Sequence, residues 1–371
     1  MSKIFFAVNN SYPNVGGSEK VVQQVSEGLH NQYGHECVVL SKSVKKKELI
    51  HNGVKIIPLS PSGRGFINQV QTQSPDHLFV YGDLFSYWKE VVKFSNSLDC
   101  GKSIALVGMN NMIRNRSLFN SFLSKTESFN VITHSEKYQD SLMCKRYKIP
   151  FTVIPNSVDD SEFENCKFDF RKFYNIETSK ILLCVSNFFP GKGQDNIIPI
   201  LNNIYSEFKD FTAIFISSLK GFAFSQVIKN QFVMKLKNVP FKYKVLCDIP
   251  REHTVGAFLD SDVFVFPSKK EVAPLVVLES MNAGLPWVSL NVGNTPDLEG
   301  GICIKAENKD ADDNIVYTKK VENDFSNSIK KIIFDEELKK ELGIKGRKMI
   351  QESFCFDSVL NKYNRIFSKG N

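Results

Sequence analysis

No run in this chain approaches the roughly 18 consecutive apolar residues that cross a bilayer. The opening stretch Met1–Asn10 holds only the short apolar segment Ile4–Val8, too little for a secretory leader. Eight cysteines, at 37, 100, 144, 166, 184, 247, 303 and 355, include no CxxC pair and are accompanied by no histidine pair. Neither a zinc site nor a disulfide framework is expected. Most of the eight lie in or beside apolar runs such as Leu183-Cys184-Val185, the setting of reduced, structural thiols. Glycine (21) and proline (14) are too few and too aperiodic for a fibrous or low-complexity chain. Charge of one sign is scarce as well: 47 basic and 40 acidic residues leave a scattered +7. That is no nucleic-acid signature, so no nucleic-acid partner is expected. A cytoplasmic protein is the expectation, with peripheral contact at the inner face of a membrane left open.

What is present is an ordinary globular mix, 42% hydrophobic and 23% charged over 371 residues, enough for about two domains with real cores. Short apolar runs alternate with helical patterns. Ile4–Val8, Glu36–Leu40, Lys55–Pro58, Leu78–Tyr81, Ser103–Val107 and Asn130–Thr133 read as strands. Between the first two, Ser18–Asn31 reads as a helix with Val21, Val22, Val25 and Leu29 on one face. The rhythm restarts with Ile181–Ser186, Thr212–Ser217, Tyr243–Cys247, Val263–Pro267 and Trp287–Asn291, after a polar stretch, Asp160–Asn175, that reads as a linker. Alternating strands and helices imply doubly wound parallel sheets, here in two Rossmann-like halves facing a cleft. Glu336–Phe367 reads as helical with a break near Ser353–Asp357. In such sheets ligands bind beyond the carboxyl ends of the strands, so function is sought in the loops that follow them.

The segment Asp262–Gly301 carries the strongest signal. A strand ends at Pro267-Ser268, a loop carries Glu271, and a helix starts near Pro274, with Glu279 inside it eight residues after Glu271. The N–H groups of Ala273, Leu275 and Val276 would point at an anion at that helix N-terminus. Glu279 could accept two hydrogen bonds from vicinal hydroxyls, such as those of a ribose. Glu271, on the preceding loop, would reach the far side of the phosphates.

This pattern resembles the E-x7-E signature of retaining GT-B glycosyltransferases of family 4. Other motifs fall in that family's order: Val15-Gly16-Gly17-Ser18-Glu19 resembles its glycine-rich loop. Val153-Ile154-Pro155-Asn156-Ser157-Val158-Asp159 resembles its IPNGVD marker, and Cys184–Asn187 through Gly191-Lys192-Gly193 resembles its later basic loop. Phe354–Tyr363 resembles a C-terminal helix that crosses back to the first domain. The resemblance implies a GT-B fold with domains at 1–168 and 169–353 and a returning helix at 354–371. It implies a hexosyl transfer from a nucleotide diphosphate sugar, with retention, to a glycan, lipid-linked or protein-linked acceptor in surface polysaccharide or glycoconjugate biosynthesis. Lys192 and Glu271 would be the catalytic pair. Gly16, Gly17, Asn187, Ala273, Pro274, Leu275, Val276 and Glu279 would join them in holding the donor. No cofactor or metal is implied.

The chain departs from the family pattern at three places. Asn187 stands where an arginine is usual, Ser157 replaces the marker glycine, and Val107–Asn111 lacks the histidine often found near the acceptor. On the acceptor side Asn110, His134 and Asp83 follow strands; His134 and Asp83 read equally as a polar loop histidine and a turn-forming aspartate. Two DxD matches, Asp260-Ser261-Asp262 and Asp310-Ala311-Asp312, resemble the metal-holding pair of GT-A enzymes but read as structural here. Met112–Lys125 is basic and amphipathic, either a membrane-docking stretch or a core-facing helix. Two other readings compete with the transferase: an inactive relative that binds sugar or scaffolds a partner, and a sugar-nucleotide epimerase, which the few histidines disfavour.

Overall fold

The computed structural model describes residues 1–14, 16–44, 48–82, 85–108, 116–220 and 224–368. The chain divides into two compact units, residues 1–156 with 357–371, and residues 157–356.

The first unit is built on eight strands: β1 Lys3–Val8, β2 Glu36–Ser41, β3 Leu49–His51, β4 Val54–Pro58, β5 His77–Val80, β6 Gly101–Ala105, β7 Asn130–Thr133 and β8 Thr152–Val153. They lie in the order β3-β4-β2-β1-β5-β6-β7-β8. Neighbours are parallel except β3 against β4, an antiparallel edge. Central strands are apolar throughout because helices cover both faces. Phe5 and Ala7 face one core with Val38, Leu78 and Trp88. Phe6, next in the chain, points the other way and meets Phe79 edge-on at 5.7 Å and Phe367 at 6.0 Å. Phe367 and Tyr363 belong to the helix Phe356–Phe367, whose buried stripe is Val359, Leu360, Tyr363 and Phe367. Gln32 and His35 pin that helix through Asp357 and Asn364, at 3.0 and 2.8 Å.

The second unit is an all-parallel sheet of β9 Lys180–Val185, β10 Phe211–Ser217, β11 Lys242–Cys247, β12 Val263–Phe266, β13 Trp287–Leu290 and β14 Gly301–Ile304, in the order β11-β10-β9-β12-β13-β14. All seven residues of β10 are buried. The two-unit parallel architecture agrees with the fold expected from the sequence.

Boundaries differ from the expectation. The divisions at 168/169 and 353/354 both fall inside the second unit. The polar stretch read as a linker instead forms two short helices, Asp160–Glu164 and Phe170–Phe173, capped by Asp159 and Asp169. It packs on the helix Arg251–Asp260. Asp260 accepts from the N–H groups of Phe170 and Arg171 at 2.7 and 3.2 Å, and the His253 ring stacks on Phe168 at 3.9 Å. The first DxD pair is thereby accounted for. Asp262, the other member, accepts from Ile181 N–H at 2.8 Å and is surrounded by Arg171, Lys180 and Lys339. In the second pair, Asp310 holds its own turn through the N–H groups of Asp312 and Asn314, both at 2.9 Å. All eight cysteines are free: Cys37, Cys144 and Cys184 are buried and the rest partly exposed. Burial pushes the Cys184 thiol up to about 12, as it does Cys37, where Glu36 adds to the effect. No described helix is long and apolar enough to cross a membrane.

At the amino end of β5, His77 is buried, with Nε2 2.7 Å from Ser103 Oγ and the ring 4.7 Å from Phe367. Its Nδ1 has no hydrogen-bond partner among the described residues. Burial, and after it the charge of Lys102, pushes its pKa down from 6.5 to about 3. Above pH 6.5 the ring is neutral whether the chain is folded or not. Below it only the unfolded chain takes the proton, so stability falls with pH by up to about 1.4 kcal/mol per unit from this group. Urea unfolding followed between pH 7.5 and 5.5 should show this slope, and His77→Gln should flatten it by about one proton.

Candidate functional site

In the second unit the chain runs from β9 outward to β10 and β11, then returns to place β12 on the other side of β9. The order reverses between β9 and β12, and the loops that leave these two strands diverge there, the position where doubly wound sheets bind ligands. Both carry residues singled out above: Lys192 follows β9 and Glu271 follows β12.

Glycine makes their approach feasible. Gly193 has φ +70°, and a Cβ built on it would lie 1.9 Å from the Pro267 carbonyl oxygen. Only a residue without a side chain lets the β9 loop rest against the end of β12. Lys269 N–H then donates to Gly191 O at 2.8 Å, and Tyr317 Oη donates to Pro267 O at 2.8 Å. From the other side Gly293, at φ +56°, allows Asn294 N–H to reach Val272 O at 3.0 Å.

On this scaffold Lys192 Nζ donates to Glu271 Oε1 at 2.6 Å, and the fully buried Ser268 donates its hydroxyl to the same oxygen. A lysine and a carboxylate held this way form a self-neutralised pair, from which an incoming anion can take the cation. The loop continues through Ala273 to Pro274, which sits at the N-cap of the helix Leu275–Asn282 with extended backbone (φ −69°, ψ 114°) and no side-chain cap. Pro274 therefore precedes the helix rather than lying in its first turn. Leu275 and Val276 open that turn, where N–H groups have no intrahelical partner. Glu279 lies further along the helix and is buried.

Glu279 is not alone. Arg251 Nη2 donates to Glu279 Oε1 at 2.5 Å and to Glu162 Oε2 at 2.7 Å, and its Nε reaches Glu162 Oε2 at 3.0 Å. Burial favours loss of the Arg251 proton, but Glu279 and Glu162 outweigh it and hold the guanidinium charged. Reasoning from sequence missed Arg251, Glu162 and Ser268. The signal available for Arg251 was its place directly after a strand, in Pro250-Arg251 at a helix start.

Asn187 is braced within the second unit: its Oδ1 accepts from Ser218 N–H at 3.4 Å, and its carbonyl accepts from Gln194 Nε2 at 2.7 Å. Gly16 and Gly17 open the helix Gly17–Tyr33 in the first unit. Gly16 is extended (φ −171°), and a Cβ there would meet Glu19 Oε2 at 2.3 Å, while Gly17 has open space. His134 is buried, with Nδ1 2.9 Å from Ile154 O and Nε2 3.5 Å from Tyr81 Oη. Burial lowers its pKa, more than the Ile154 hydrogen bond raises it. His134 thus lies in the bend directly after β7, buried and held by these two internal contacts. Asp83 and Asn110 lie outside the described residues, as does the start of the basic stretch. Its remainder forms the helix Arg116–Leu123, which buries Leu118, Phe119 and Phe122 in the first core. These side chains are committed to the core-facing reading.

Solved structures superpose on the whole chain. Sucrose-phosphate synthase from Thermosynechococcus elongatus matches with a TM-score of 0.78 at 15% identity, covering 99% of each chain. Anabaena HepE, solved in complex with UDP-glucose, matches with a TM-score of 0.76 at 15% identity, covering 99% of this chain and 100% of that one. The fold is GT-B. Residues 167–349 match the family model described as Glycosyl transferases group 1. Among curated proteins, the N-acetyl-alpha-D-glucosaminyl L-malate synthase of Bacillus anthracis is 23% identical over 274 residues. That alignment covers 72% of this chain and 65% of the relative, and an alignment to a second Bacillus relative covers only 47% of that protein.

Substitution of Gly193 tests the scaffold. Gly193→Ala should cost about 1–3 kcal/mol from the positive φ alone, with the clash at Pro267 adding to it. Chemical denaturation should show the loss.

Proposed function

We propose that the chain is a retaining family 4 glycosyltransferase that moves a hexosyl group from a nucleotide diphosphate sugar to a hydroxyl of a glycan, lipid-linked or protein-linked acceptor. The observation that carries this reading is the Lys192–Glu271 pair at the β9/β12 switch point, beside an anion-accepting helix start with Glu279 further along it. The glycosyl transferases group 1 match over this segment supports it, as does the UDP-glucose in the structurally similar HepE. Surface polysaccharide or glycoconjugate synthesis is the setting we favour. A relative named for O-antigen biosynthesis, WclY of Escherichia coli, matches 58% of the chain at 26% identity.

In this reading the diphosphate displaces Glu271 from Lys192. The bond between the anomeric carbon and the diphosphate oxygen breaks, its electron pair stays on the diphosphate, and Lys192 stabilises that growing charge. The acceptor oxygen bonds to the anomeric carbon on the face the diphosphate leaves, and its proton passes to the leaving phosphate. Glu271, released from Lys192, accepts hydrogen bonds from the sugar hydroxyls, and Glu279 from the ribose. No metal enters the scheme, because Lys192 and the helix start supply the positive potential.

Thermal-shift measurements against UDP-, GDP-, ADP- and dTDP-sugars test the donor class, since a ligand of the native state raises its melting temperature. One base should stand out, and no shift with any of them favours the non-catalytic, scaffolding alternative. Lys192→Ala should lower kcat by about a hundredfold or more. Glu271→Gln should abolish transfer while UDP binds as well as before or better, because a competitor for Lys192 is gone. Weaker UDP binding in Glu271→Gln would contradict the displacement step. The anomeric configuration of the product, read by NMR, decides retention.

A further inference from the structure

The ion triad Glu162–Arg251–Glu279 is a separate construction within the second unit, and we propose that Arg251 is a positioning residue that aims the Glu279 carboxylate at the nucleotide ribose. The proposal rests on the reading of Glu279 as the ribose acceptor.

Three observations carry it. First, the contacts are one-sided. Arg251 engages Glu279 Oε1, while Oε2 has no hydrogen-bond partner among the described residues. A carboxylate fixed through one oxygen cannot rotate freely, so the other keeps one direction in which to accept a hydroxyl. Second, the cation is itself anchored. Two of its nitrogens meet Glu162 Oε2, and the guanidinium lies 5.9 Å from the Phe163 ring centre. The forked, planar donor set of arginine fits this shared geometry, whereas a lysine would make a single point contact. Third, the charges favour it. Glu279 has a side chain only 9% exposed, on a helix whose start is read as the diphosphate site. Without Arg251, two neighbouring carboxylates would repel each other and the donor; with it, the group carries one net negative charge.

The triad also joins pieces distant in sequence. Glu162 lies in the short helix Asp160–Glu164, Arg251 at the start of the helix after β11, and Glu279 in the helix after β12. The segment that reads as a linker in the sequence therefore supplies part of the support for the donor carboxylate.

The test uses isothermal titration of the full chain. Its probes are the nucleoside diphosphate selected by the sugar-nucleotide screen (UDP, GDP, ADP or dTDP) and the 2′,3′-dideoxy form of the same nucleotide. Wild type should bind the dideoxy form at least tenfold more weakly. Arg251→Met should lose affinity for the parent nucleotide while binding the dideoxy form nearly as wild type does, so the ratio collapses toward one. In kinetics the donor KM should rise with kcat largely kept. Arg251→Lys, which keeps the charge but not the fork, should restore part of the ratio, and it carries the same test if Arg251→Met does not fold. A variant that weakens both nucleotides equally and keeps the wild-type ratio overturns the proposal, leaving Arg251 a structural residue. Failure of the wild type itself to discriminate the two nucleotides overturns the ribose reading of Glu279, and the proposal with it.

Discussion

Where Gly193 meets the Pro267 carbonyl there is no room for a single methyl group. Everything described at the candidate site depends on that approach. It brings a loop from the middle of the sheet onto the end of the neighbouring strand, and it places Lys192 against Glu271. The sheet supplies the setting, because β9 and β12 are hydrogen-bonded neighbours although β10 and β11 intervene in sequence. The glycine supplies the last few ångströms. A strand order and one backbone conformation together determine where a cation and a carboxylate meet.

Charge at this site is organised by contact between opposite signs. Lys192 is matched by Glu271, and Arg251 by Glu162 and Glu279. Isolated ions at such burial would be costly, and these opposite charges reduce that cost. The same economy appears at the opposite end of the sheet. There Asp262 is ringed by Arg171, Lys180 and Lys339 and fastens the start of β9.

Much of this was legible in the residues because burial leaves a mark on sequence. Strands covered on both faces read as unbroken apolar runs, and β1, β2, β9, β10 and β12 were found that way. β3 was not, since Leu49 and Ile50 are exposed and form no such run; β8, at two residues, is too short to show one. The stretch 160–175 looked like a linker because its helices are brief and begin with aspartate caps, which in sequence resemble loops. The placement of Lys192 after β9, of Glu271 after β12 and of Glu279 in the helix that follows was legible from spacing and family likeness together. Arg251 and Glu162 were not, because their pairing spans 89 residues and follows no period. His134 was ambiguous for the opposite reason: its position after a strand suits either a ligand contact or a polar loop histidine, and its burial against Tyr81 and Ile154 leaves no mark on the local sequence.

The helix Phe356–Phe367 has a consequence for the order of events during synthesis. Residues 1–156 leave the ribosome before residues 157–371, with Phe6 and Phe79 on a sheet face that Tyr363 and Phe367 help to cover. These two arrive only after residues 157–356 have been made. The second unit is one uninterrupted stretch and can close on itself before the first is finished. Translation that stops just short of this helix would yield a complete second unit and a first unit in which Phe6 and Phe79 lack these aromatic partners, a species inclined to stick to itself rather than one that is merely shorter.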